Sequence, residues 1–492
     1  MTNRLFTPAA SPESVGIPSE AIAAFLQRIK RLGVNLHGFL IVRDGQIASE
    51  GYWAPYTADS THRMYSVSKS FVSLSVGLLI DAGKLKLNDK VAAFFPDKLP
   101  PAPHRYLLDT TVRDLLMMAT PHDRTSYSFK DKDWAATFFQ HQPCHPPGTV
   151  FAYDTAATVI LNTIVERITG VPFLTFMRER LLDPIGASKD IWCVQTPEGT
   201  SWGGSGVICT LRDMAKVAYV CMNGGRWGEQ QLISEQYVRE ATSKQIDNSL
   251  GERSGYGYQI WVEPDGGFAF RGMGSQFAFC FPKQRFLFAC IADTQGSANG
   301  GLYLEQAYRE EILARLSHDP LPEKESAQTE LQQSINGLHI LPQPGELTSP
   351  QAGAISNQWF RMEPNPMGIT RMRFRFNGDE GVWEYTNAAG EHQLAFGIGQ
   401  QVAGQFPQPG YSGARIGTVG DKYRCLASAA WVDPQTLNML VYVTDHYLGT
   451  LKASFNFKGD QIGVLMTKVA EWFLNEYNGF AGGCLDSAAV SE

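Results

Sequence analysis

The chain has 492 residues, 43 % hydrophobic and 18 % charged, the composition of an ordinary globular protein with room for more than one domain. A formal net charge of −7 argues against nucleic-acid or polybasic membrane binding, and no apolar stretch approaches the length of a membrane span. The eight cysteines are scattered without a C-x-x-C pair, and residues 1–8 carry no apolar signal segment, so a reduced, cytoplasmic protein is expected.

Apolar spacing predicts an amphipathic helix over about residues 19–32, followed by a hairpin of 38–43 and 46–53 around Asp44-Gly45. Next comes a mostly apolar or small run over 65–80, ended by Gly83, which places Ser66 and Lys69 three residues apart at a helix start. Residues at that spacing share a helix face. The first turn also leaves backbone N–H groups free beside the serine, which suits a developing oxyanion. This is the S-x-x-K arrangement of acylating serine enzymes. The bland alternative is a polar first turn with a solvated lysine. Against it stands the apolar run that follows, since a lysine on a buried helix is costly unless partnered or neutral.

Further helices are predicted over 112–120 and 155–169, the second closed by Gly170. Thr210-Leu211-Arg212-Asp213 is a capping box for a helix through Met222. The pattern then turns to strands over 257–263, 268–271, 276–281 and 286–292, with a helix over about 302–316. Strands at both ends with helices between them predict an α+β domain, one antiparallel sheet flanked by helices with an inserted helical region. The expected organisation is a first domain over 1–318, a polar linker over 319–332 and a β-rich accessory domain over 333–492. In the last, short alternating segments such as 372–376, 381–385 and 439–443 predict an antiparallel barrel or sandwich. Its role is open between covering the active-site mouth, self-association and stabilising the first domain.

Two more clusters carry chemistry: Tyr153-Asp154-Thr155 ahead of the 155–169 helix, and Arg271-Gly272-Met273-Gly274 at the end of a strand. With Ser66-Val67-Ser68-Lys69 and the stretches Thr111-Val112-Arg113-Asp114 and Gly203-Gly204-Ser205-Gly206, they make residues 10–316 resemble the serine β-lactamase/penicillin-recognising superfamily. The details look most like its 6-aminohexanoate-dimer hydrolase and family VIII esterase branch. Two departures stand out. Thr155 occupies the place where many members have asparagine, and the third motif lacks the lysine that engages a substrate carboxylate in β-lactamases and DD-peptidases.

The resemblance implies Ser66 as nucleophile, Lys69 as base and Tyr153 as proton relay. It also implies an oxyanion site made from Ser66 N–H and a third-motif N–H at Met273, flanked by Gly272 and Gly274, with Arg271 and Thr155 as candidate substrate contacts. The expected activity is hydrolysis of a small ester or amide through a Ser66 acyl-enzyme. A D-amino-acid peptidase or amidase and a weak β-lactamase are the enzymatic alternatives. A catalytically silent ligand-binding protein on the same fold is the alternative from another class. The ten histidines form no ligand set and the glycine runs no nucleotide pattern, so no metal or cofactor is expected. The expected partner is a small-molecule substrate, with homo-oligomerisation open.

Overall fold

The computed structural model describes residues 5–248, 255–407, 423–445, 447–471 and 474–486. Helix α1 (Ser19–Arg31) buries Ile22, Phe25, Leu26 and Ile29, and its basic residues gather in the last turn, where they complement the helix dipole. The hairpin follows as β1 (Leu36–Arg43) and β2 (Gln46–Tyr52), its Asp44-Gly45 turn at positive φ. Strand β3 (Thr61–Arg63) leaves that sheet and leads to α2 (Ser68–Asp81). The middle of the unit contributes α3 (Thr155–Thr169), the short strands β4 (Trp192–Cys193) and β5 (Val207–Thr210), and α4 (Leu211–Met222). Thr210 and Asp213 form the capping box that opens α4. Strands β3, β5 and β4 make a small sheet in that order.

The chain then returns to the main sheet through β6 (Gly255–Tyr256), β7 (Trp261–Val262), β8 (Phe268–Gly272), β9 (Gln276–Phe281) and β10 (Phe286–Ala292). The strand order is β2-β1-β10-β9-β8-β7-β6, antiparallel throughout, so both ends of the unit build one sheet. Helix α5 (Gly300–Glu311) stacks Tyr308 on Phe288 of one face, where Phe25 of α1 also packs. Cys280, on the opposite face, donates to the Ala218 carbonyl of α4. This alternation decides which strand residues can reach the Ser66 helix.

Three boundaries differ from the sequence reading. The helix expected over 112–120 stops at Leu116, because Met118 takes a left-handed φ of 57°. Of the strand expected over 257–263 only Trp261–Val262 forms, as β7, because Gln259 at φ 58° turns the chain back from β6. The segment 319–332 read as a linker carries much of α6 (Glu325–Asn336), which buries Ala327 and Leu331 and packs on α1. The chain divides into two compact units with the main boundary between Leu338 and His339, and Gln295–Ala298 grouping with the second.

The second unit is a closed β-barrel. Its strands β11 (Phe360–Met362), β12 (Arg371–Asn377), β13 (Glu380–Asn387) and β14 (Gly390–Ile398) form one arm. The short β15 (Val402–Gln405) precedes β16 (Arg424–Asp433), β17 (Thr436–Thr444), β18 (Leu448–Lys458), β19 (Gln461–Ala470) and β20 (Gly479–Leu485). The order β14-β13-β12-β11-β20-β19-β18-β17-β16 closes through a parallel β14–β16 pairing, and β15 pairs on β16 as an extra strand. Inward positions are large and apolar, among them Phe374, Trp383, Phe396, Trp431, Phe455 and Phe457.

Candidate active site

Helix α2 is buried around its circumference, with apolar or small side chains at every position except Lys69 and the terminal Asp81. Over residues 62–79 every residue is buried except Ser66. Ser66 sits in a single 3-10 turn (Tyr65–Val67) just before α2 rather than inside it, and Tyr65 holds a left-handed φ of 47°. A bulky residue in that conformation costs on the order of 1–3 kcal/mol and persists only where its surroundings enforce it. Here Arg63 stacks over the Tyr65 ring at 4.4 Å and over Trp202 at 4.5 Å. Its guanidinium also donates to the backbone and side chain of Ser205, each at 2.9 Å.

Lys69 lies one helical turn on and is 1 % exposed. Its Nζ is 3.0 Å from Ser66 Oγ and donates to the Gly204 carbonyl at 2.6 Å. Gly203 and Gly204 are needed for that approach. A Cβ on Gly203 would stand 2.5 Å from Val72, and one on Gly204 would stand 2.6 Å from Thr155 Cγ2. The Gly204 carbonyl is a site group that sequence reasoning missed. The adjacent glycines were the available signal, since they mark a close backbone approach as readily as a turn.

Tyr153 joins the same cluster. Its ring centroid is 5.0 Å from Lys69 Nζ, and it stacks on Trp261 at 5.5 Å. The residue as a whole is half-buried, yet burial of its hydroxyl pushes the phenol up to about 12, with the nearby Ser66 hydroxyl opposing. The loop before it is pinned to Met118, whose carbonyl accepts from Ala152 N at 2.8 Å and whose sulfur accepts from Asp154 N at 3.3 Å.

Asp154 is the N-cap of α3. It accepts from Ala156 N at 2.8 Å and from Thr120 Oγ1 at 3.2 Å. Burial pushes its carboxyl up to about 6 against those hydrogen bonds. Thr155 donates its N–H to Thr125 Oγ1 at 2.9 Å and turns its methyl toward Gly204. It therefore backs the Lys69–Gly204 contact.

The third motif divides. Gly272 ends β8 so close to the nucleophile turn that a Cβ would stand 2.4 Å from the Met64 carbonyl. Met273, Gly274 and Ser275 form the tight β8–β9 connection, with Gly274 and Ser275 at φ 75° and 70° and Met273 40 % exposed. Arg271 corrects the sequence reading, which offered it as a substrate contact. One residue before Gly272, it points to the opposite sheet face. There it pairs with Glu263 at 2.7 Å and Glu305 at 2.9 Å and lies over Phe279 at 4.6 Å.

Gln259 was also missed. Its side chain spans Thr158 Oγ1 at 2.6 Å and the Leu115 carbonyl at 2.8 Å, and its own carbonyl accepts from Ser70. It thus ties α2, α3 and the strand that carries Trp261. Tyr65, Met118, Gln259 and Ser275 are all non-glycine residues at positive φ, and each borders this cluster. Strain of that kind concentrates at functional sites.

An antiparallel sheet between helix layers, with a Ser-x-x-Lys turn presented beside its β8–β9 connection, is the architecture of β-lactamase-like serine hydrolases. The chain belongs to the Beta-lactamase family, whose profile matches residues 19–311. A 6-aminohexanoate-dimer hydrolase of Paenarthrobacter ureafaciens is 26 % identical over 287 residues, covering 52 % of this chain and 73 % of that protein. Among solved structures, an octameric penicillin-binding protein homologue from Pyrococcus abyssi covers 94 % of this chain and 99 % of its own, with TM-score 0.50 and 14 % identity. SurE with D-Leu covers 87 % and 98 %, with TM-score 0.51 and 16 % identity. At these identities the structural likeness establishes the fold alone. Among the described residues, no single helix is long and apolar enough to cross a membrane.

Proposed function

We propose that this protein hydrolyses small esters or amides through an acyl-enzyme on Ser66. The observation that carries the reading is the buried Lys69 Nζ, 3.0 Å from Oγ of the one half-exposed residue in an otherwise buried stretch and 5.0 Å from the Tyr153 ring centroid. With its amine neutral, Lys69 takes the hydroxyl proton while keeping its donor bond to Gly204. Ser66 Oγ then attacks the acyl carbon, and the backbone N–H groups of Ser66 and Met273 hold the resulting oxyanion. Tyr153, a phenol at neutral pH, passes a proton to the leaving group and regains one from the Lys69 ammonium, which returns the amine to its neutral form. The reverse relay activates water for deacylation. Gly272 and Gly274 let substrate close on the Met273 backbone, and Thr155 acts by holding Gly204.

Because Arg271 faces away and is saturated by glutamates, strand β8 offers no cation to a substrate carboxylate. That favours neutral acyl groups over β-lactams and over peptides with a free C-terminus at this position. We extend the reading to self-association on the precedent of the octameric homologue, with light scattering of the full chain as the check.

The test is a pre-steady-state assay with p-nitrophenyl butyrate, following protein mass in the wild type and in Ser66→Ala. A burst and a butyryl adduct in the wild type alone are expected, with steady turnover lost on the order of 10⁴-fold or more in the variant. Equal activity in both proteins removes Ser66 as nucleophile. An adduct that never turns over makes the protein a silent binder on a hydrolase fold.

A further inference from the structure

We propose that Arg271 is a positioning residue for the second oxyanion donor, clamping β8 so that the Met273 N–H stays fixed beside Ser66. The inference rests on the reading of Ser66 as nucleophile and Met273 N–H as donor. Strand β8 is gripped from both sides. On one side Gly272 closes on the Met64 carbonyl, two residues from Ser66. On the other, one residue earlier, Arg271 is held by four hydrogen bonds. Its NH1 and NH2 make a fork to Glu305 of α5 at 2.9 and 3.0 Å, and its Nε and NH2 make another to Glu263 at 3.1 and 2.7 Å.

Both carboxylates are in turn shared with Arg309, at 2.7 Å from Glu263 and 3.2 Å from Glu305. All three guanidinium nitrogens are engaged and the plane cannot rotate. The Arg271 side chain is 6 % exposed and that of Glu263 1 %. Buried charge of this kind contributes little net stability against an apolar alternative, whereas its geometry is rigid. Rigidity is what an oxyanion donor requires, since a displacement of about 1 Å can cost on the order of 100-fold in rate. Lysine keeps the charge at this position but cannot make two forks.

The experiment compares R271K, E305Q and S66A in the full-length protein. Turnover of p-nitrophenyl butyrate is normalised to active sites by the acyl burst. The second readout is inhibition by n-butylboronic acid, whose tetrahedral serine adduct occupies the oxyanion site. In R271K, kcat falls about 10- to 100-fold with KM within about threefold, and boronate affinity falls in parallel. E305Q, which keeps an acceptor but loses the charge, shows the same split at smaller amplitude. A change in melting temperature alone, or a rise in KM with kcat and boronate affinity intact, makes the clamp merely structural and overturns the proposal. Should R271K fail to fold, E305Q decides by the same criteria. An S66A protein that still forms the adduct refutes the underlying nucleophile reading, whereas an inert S66A beside a fully active R271K refutes only the clamp.

Discussion

Inside the C-terminal barrel the buried side chains are Phe374, Trp383, Phe396, Phe455 and Phe457, and the charges stand outside. Arg371, Arg373 and Arg375 of β12 pair there with Glu384 of β13 and Glu391 of β14. The first unit hides Arg63, Lys69 and Asp154 near Ser66, with four strained residues around that cluster, and Glu263 and Arg271 on the opposite face of its sheet. An apolar interior is the cheap solution, because each buried ion carries a desolvation penalty of several kcal/mol. The unit that departs from that solution is also the one that sets a buried amine against an accessible hydroxyl, and perturbed buried groups of this kind concentrate at working sites.

The contrast predicts that activity and stability respond separately in the two units. Lys69→Met is expected to lower turnover about 10²- to 10⁴-fold, the range of a lost general base, without lowering stability, since it replaces a buried amine by an apolar side chain of similar length. Turnover and a thermal melt of the same preparation test both halves. A clear drop in melting temperature would show that Lys69 serves the fold. Phe455→Ala is the counterpart in the barrel. The ring is fully buried, edge-on to Phe374 at 4.8 Å, and its loss is expected to cost about 3–5 kcal/mol in the barrel's own denaturant transition. A loss under about 1 kcal/mol would mean that the barrel interior is not close-packed.

Asp154 sharpens the comparison through pH. Its folded value, about 6, stands above the ordinary 3.8 because burial disfavours the carboxylate. Between those values the folded state binds more protons than the unfolded chain. The contribution to stability is therefore complete below about pH 4 and is lost as pH rises through 6, by at most about 3 kcal/mol. Asp154→Asn keeps an acceptor for the Ala156 N–H and removes the titration. Its melting temperature relative to wild type should climb from pH 4 to pH 7 and then level off. A pH-independent difference would rule out burial of this carboxyl as the source.

How much of this was readable in the sequence depended on whether a local pattern or a long-range meeting made the feature. The hairpin at Asp44-Gly45, the Thr210 capping box and the alternating barrel strands are local, and the structure forms them as read. Ser66 and Lys69 were legible because one helical turn separates them. Arg271 was misread although period-two alternation already set it opposite Gly272. What the sequence could not supply was which face the Ser66 helix would cover. The Gly204 carbonyl and Gln259 were invisible for a related reason, since each acts through partners more than 100 residues away in the chain. The strain at Met118 and Gln259 that shortened one predicted helix and one predicted strand has the same origin. Residues of ordinary propensity are held in left-handed backbone by tertiary contacts.

Gly204→Ala tests the smallest of these effects and the least local. The added Cβ would meet Thr155 Cγ2 at 2.6 Å and the Thr155 carbonyl at 3.2 Å. Thr155 cannot retreat easily, because Asp154 caps its helix and Thr125 holds its N–H. The displacement is therefore expected to fall on the Gly204 carbonyl and hence on Lys69, lowering kcat about 10- to 30-fold with KM little changed. The double variant Gly204→Ala/Thr155→Ser removes the methyl that causes the closer clash. Recovery of part of the lost rate would give a coupling between two residues that no substrate need touch. Additive losses would mean instead that the alanine acts through a path other than Thr155, and that the carbonyl supporting Lys69 tolerates movement.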